Sequence, residues 1–180
     1  METYYGNHCF LRFFVRGVVI QRWRSNLALE QEVCIHNSQP KQGQVVNCKV
    51  GFMQAINAEI EVKQDSIALG EAFRGKVLIN KLGVQLKKVT VELQRREVLK
   101  LGSCWNEVWD SIKETSIPEE KLLTDKLDFE LPAKSCKATP SYEDINGQVA
   151  VEYYLSFVFS DSTNKSYYKK VPVSLFRKDL

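Results

Sequence analysis

The sequence predicts an all-β fold, an antiparallel β-sandwich. Three observations carry this. About eight or more runs alternate apolar and polar residues with period two, turn compositions separate them, and helix signals are weak throughout. The 180 residues are 44% apolar and 26% charged, a globular profile with enough chain to bury a core without staples.

Phe10 to Trp23 reads as a long first strand, with Leu11, Phe13, Val15 and Val19 on one face. Phe10, Phe14, Val18 and Ile20 make its other face partly apolar, so it wants cover on both sides. Leu27 to Ile35 reads as a second strand, and Pro40-Lys41-Gln42-Gly43 as a connection. Ile56, Ala58, Ile60 and Val62 alternate with Asn57, Glu59, Glu61 and Lys63, a half-buried strand. Gly75 to Ile79 makes a shorter one, with a turn at Leu82-Gly83. Val89, Val91 and Leu93 alternate with Thr90, Glu92 and Gln94. The phase then slips at Arg95-Arg96 before Val98, which predicts a bulge.

Leu101 to Leu123 is less regular. Trp105, Val108, Trp109, Ile112 and Ile117 mix with polar residues, and the two tryptophans are expected to cap one end of the sandwich. The sharper reading is a protein contact, because aromatics are enriched in interface hot spots. Ile117 to Leu123 is the only helix-like stretch, with Pro118 in a first turn and Glu119-Glu120 favourable to the dipole. The clearest strand is Val149 to Phe159. Asp161-Ser162-Thr163-Asn164 supplies a turn, and Ser166 to Phe176 returns as a hairpin. Pro172 lacks a donor, which predicts an edge position or a bulge.

Function classes narrow quickly. The 25 basic residues exceed the 22 acidic by +3, too little to point to nucleic acid or an anionic membrane. No run approaches the length of a spanning helix, and METYYGNHCF lacks a signal-peptide layout. The five cysteines (Cys9, Cys34, Cys48, Cys104 and Cys136) are odd in number and widely separated, as expected of reduced thiols in the cytosol. Nucleotide, hydrolase and zinc-protease motifs are missing, and the two histidines leave little room for metal sites. The expectation is no cofactor, no metal and no catalysis.

Cys34 and His36 share a strand face, but a nucleophile would need a third, orienting group. Glu119-Glu120 reads as a solvated pair. Arg12, Arg16, Arg22 and Arg24 form a basic stripe beside Trp23. It could bind phosphates, although long basic chains covering a polar sheet face are favoured. Lys87-Lys88, Arg95-Arg96 and Lys169-Lys170 read as solvated pairs.

Six stretches in order carry a resemblance. They are Glu2-Thr3-Tyr4-Tyr5-Gly6; Leu11-Arg12-Phe13-Phe14-Val15 closed by Arg22; Val50-Gly51 before the Ile60 strand; and Val91-Glu92-Leu93-Gln94 followed by Glu97 and Leu101-Gly102. Ala138-Thr139-Pro140 before Val149 to Phe159, and Tyr167-Tyr168-Lys169 with Leu175-Phe176-Arg177-Lys178, complete the series. The chain resembles the vacuolar protein sorting 26 family, whose members are two stacked arrestin-like sandwiches. The resemblance implies that residues 1–37 are the last strands of the first sandwich and residues 38–180 the second. The chain then corresponds to a C-terminal part of the family pattern, and its first strand is left uncovered, an association hazard.

The resemblance also implies a function: a non-catalytic scaffold of retromer, the endosomal cargo-sorting coat. Such a subunit binds a large α-solenoid partner, works beside a sorting nexin and cargo tails, and sits peripherally on the cytosolic face of endosomes. A retriever-type paralogue fits about as well, and a generic arrestin-related adaptor with other partners stays open. The solenoid-binding loop falls at Thr115, Ser116 and Ile117, where the family's adjacent apolar residues reduce to Ile117. The cargo and sorting-nexin groove falls at Val50, Gly51, Phe52 and Tyr168, where an extended segment can add along a strand edge.

Overall fold

Period-two alternation needs a second layer before it becomes a fold, and most of this chain supplies one. The computed structural model describes residues 2–38, 40–52, 55–117, 122, 124–133, 138–145 and 147–178. The chain divides into two units, Met1–Ser38 and Gln39–Leu180. Among the described residues the regular elements are strands, and no helix is long and apolar enough to cross a membrane.

The first unit holds two small antiparallel pairs. β1 (Tyr4–Tyr5) pairs β2 (Phe10–Leu11), and β3 (Phe13–Val19) pairs β4 (Leu27–Val33). The long first strand expected from the sequence is therefore broken at Arg12 into β2 and β3. Ile35 is tied back to Thr3 twice, by its carbonyl accepting from the Thr3 amide and its amide donating to Thr3 Oγ1, each at 2.8 Å.

The second unit is the sandwich. One layer is β5 (Val46–Phe52), β6 (Ile56–Val62), β8 (Ala72–Leu82) and β11 (Lys126–Pro132), in the spatial order β11-β8-β6-β5. The other is β7 (Ser66–Ala68), β9 (Leu86–Leu101), β10 (Cys104–Ile117), β13 (Val149–Asp161) and β14 (Ser166–Phe176), in the order β10-β9-β13-β14-β7. The short β12 (Tyr142–Ile145) lies beside β13. Every pairing is antiparallel except β14 with β7. The all-β, arrestin-like sandwich expected from the sequence is the architecture found.

The core lies between these layers. Alternate residues of β6 (Ile56, Ala58, Ile60, Val62) face alternate residues of β13 (Tyr153, Leu155, Phe157, Phe159), all buried. Phe129 of β11 meets Phe157 edge-on at 5.2 Å and locks the two sheets together. Gly75 makes room for that ring: a Cβ there would lie 2.8 Å from Phe129 and 2.1 Å from the Glu61 carbonyl oxygen. Gly102 has φ +64° and opens the two-residue turn joining Leu101 to Cys104, a backbone that glycine adopts without strain.

Three expectations are corrected. The irregular segment after Gly102 is the fourteen-residue strand β10. It escaped notice because it is an edge strand with polar residues on both faces, so its alternation is weak. Second, β9 has no bulge at Arg95-Arg96: its register with β10 and β13 runs unbroken there. The apolar phase slips because charged residues occupy the inner face. Arg95 and Glu97 are 2% and 0% exposed, and they sit in an ion cluster in which Arg95 Nε lies 3.3 Å from Glu97 and Nη2 donates to Asp110 at 3.0 Å. The bulge is on β10, between Ser111 and Lys113. Third, the tryptophans do not cap the sandwich; they stand on β10. Pro172 sits where β14 pairs β13, and β7 joins the other side only from Ser174 onward, the edge position it requires. In the helix-like stretch, residues 118–121 and 123, including Glu119-Glu120, lie outside the described residues, as does Cys136. Ile117 ends β10.

Candidate functional site

The residues expected to form a cargo groove are scattered by strand parity. Val50 points into the core opposite Ala58 and is buried. Phe52 also points inward, its ring 5.3 Å from Tyr167 and 6.3 Å from Phe159. Gly51 lies between them on the outer face, with open space where a Cβ would stand. Tyr168 is exposed on the outer face of the other sheet, opposite Val158. The β14 aromatic that meets Phe52 is therefore Tyr167, one position from the residue the family pattern indicates. What these positions do offer is an edge: β5 closes one side of its sheet, with β6 as its only strand partner among the described residues.

Thr115, Ser116 and Ile117 are not loop residues. They end β10, opposite Val91, Thr90 and Val89 of β9. Ile117 is 5% exposed and belongs to the core. Ser116 points outward, its hydroxyl 3.4 Å from that of Thr90. Of the three, Ser116 is the exposed one.

The outer face of the six-stranded layer carries a cluster that no local pattern predicts. The Trp109 ring of β10 lies tilted against that of Tyr154 of β13, their centroids 5.2 Å apart. Lys170 Nζ lies 3.3 Å from the Trp109 ring centroid, and the Arg96 guanidinium lies 5.6 Å from it. Arg96 Nε donates to Glu107 at 2.8 Å and Nη1 to Glu152 at 3.0 Å, while the Tyr154 hydroxyl donates to Glu152 at 2.7 Å. Two acids hold the Arg96 proton well above its usual range, and Arg96 in turn holds the Glu107 carboxyl low. Trp105, exposed near the turn, carries Lys100 over its ring at 5.2 Å. Arg96 and Lys170 are thus cation–π partners rather than plain solvated charges. Only the β9–β10–β13–β14 register could have revealed this.

The remaining candidates resolve as follows. Cys34 Sγ lies 3.3 Å from His36 Nε2, both on the surface. Arg12 and Arg16 of the basic stripe are ion-paired across the β3–β4 hairpin with Glu32 and Glu30, and Arg22 lies over Trp23. On the outer face of the four-stranded layer, Arg74 pairs Glu130 at 2.7 Å and Lys76 pairs Glu61 at 2.8 Å. Among the described residues no group of three or more His, Cys, Asp or Glu could hold a metal ion.

Fold and surfaces together define a β-sandwich protein whose edge strands carry no further strand among the described residues and whose outer face is aromatic and cation-bearing. The family model for vacuolar protein sorting-associated protein 26 matches residues 1–164, and the chain belongs to that family. Relatives of that name align over nearly the whole chain. The Drosophila melanogaster protein is 23% identical over 98% of this chain and 37% of its own length. The Plasmodium falciparum protein is 22% identical over 99% and 61%. The human protein 26B is 24% identical over 98% and 53%. The chain therefore spans about half the length of the curated relatives it matches.

Proposed function

We propose that this chain is a non-catalytic adaptor in vacuolar and endosomal protein sorting, acting as the arrestin-like scaffold of a retromer-type coat. The observation that carries the reading is the family match over residues 1–164. In this role the end of β10, at Thr115, Ser116 and Ile117, binds a large α-solenoid subunit. The edge of β5, at Val50 to Phe52, accepts an extended cargo or sorting-nexin segment by strand addition. The protein acts peripherally on the cytosolic face of endosomes, through the complex. The outward position of Ser116 and the one-sided pairing of β5 support this assignment.

The test is calorimetric titration against the C-terminal part of the retromer solenoid subunit, with the retriever solenoid in parallel. Binding to the first at nanomolar to low-micromolar strength supports the retromer reading; binding to the second alone identifies the retriever-type paralogue. Ser116→Arg should weaken binding, because it places a bulky cation on the contact without touching the core. Ile117→Asp serves only as a folding control, since Ile117 is buried. Titration of neither solenoid by a folded chain would reject the scaffold role and leave a generic arrestin-related adaptor.

A further inference from the structure

We draw no further inference here: the strongest candidate, the surface cluster of Trp109, Tyr154, Arg96 and Lys170 on the outer face of the six-stranded layer, has its cations already engaged by its own rings and carboxylates, and nothing in the structure shows what covers it.

Discussion

The two units of this chain use the same strand grammar and reach opposite ends. Among the described residues, eleven large apolar side chains stand exposed in Met1–Ser38 and five in Gln39–Leu180. Of the buried apolar residues, Tyr4 alone belongs to the first unit. Both units alternate and both pair, so alternation and ladder hydrogen bonds make strands in either case. The difference is a second layer. β13 has the four-stranded sheet across from it and buries Leu155, Phe157 and Phe159, whereas Val15 and Val19 of β3 are each 60% exposed. The hydrophobic term is collected only when water is excluded from the face, and pairing within a sheet does not do that.

Truncating a side chain in each unit tests the contrast most strongly. Phe157→Ala should lower sandwich stability by about 3–5 kcal/mol, the lost transfer energy plus the cavity opposite Phe129. Leu29→Ala should change it by less than about 0.5 kcal/mol, the ordinary result at an exposed site. Thermal melts followed by near-ultraviolet circular dichroism read both. Equal losses from the two substitutions would mean that Leu29 is covered in solution, and the contrast would collapse.

The buried ions sharpen the comparison from the other side. Arg95→Met leaves Glu97 and Asp110 facing an apolar side chain inside the sandwich, and should cost about 3 kcal/mol, as when one partner of a buried pair is removed. Adding Glu97→Leu should recover most of the loss, because two apolar groups replace the pair. In the hairpin, Arg16→Gln breaks the exposed Arg16–Glu30 pair at a cost below about 1 kcal/mol. Urea melts of the single and double variants decide the matter; a double variant weaker than Arg95→Met would show that the cluster contributes packing as well as charge balance.

Glycines give a third and smaller contrast, within the four-stranded layer. Gly75→Ala drives a Cβ into the Glu61 carbonyl and the Phe129 ring, and should cost about 1–3 kcal/mol through forced backbone movement. Gly51→Ala meets nothing within 4 Å and should be neutral or slightly stabilising. Matched melting curves for the two variants would show that the space at Gly75 opens without cost.

These contrasts also explain which parts of the fold were legible in the sequence. β6, β13 and β14 are half-buried strands with one apolar face, and their alternation shows in the residues. β10 was missed because an edge strand bearing Trp105, Glu107 and Trp109 on its outer side has no apolar face to display. Arg95 and Glu97 were misread as a bulge because period-two reading treats a charge on the inner face as a loss of phase, and only the neighbouring strands reveal the ion cluster. The Trp109–Lys170 contact joins residues 61 positions apart in sequence, through a register that no local pattern encodes. The family was legible from six short stretches. The side-chain directions of Val50, Gly51, Phe52 and Tyr168 were not, because a one-residue step reverses the face.

The smallest expected effect lies in the exposed hairpin and concerns pH. Glu32 accepts from Arg12 and from the Tyr5 hydroxyl, and these bonds lower its carboxyl from 4.5 to about 2. A carboxyl depressed in the folded state contributes stability above its unfolded value, and that contribution is lost as pH falls through the folded one. The window therefore runs from about pH 4.5 down to about pH 2, and hairpin pairing should loosen across it. The effect is small because the group is solvated and the pair is screened by salt. Carboxyl carbon shifts followed by NMR should show Glu32 still ionised at pH 3, and Arg12→Gln should move its midpoint back toward 4.5. Tyr5→Phe should move it less, since Arg12 is the larger cause. A midpoint near 4.5 in the unmodified chain would mean that the three side chains do not stay together in water, and that the charged face of the hairpin is no better held than its apolar one.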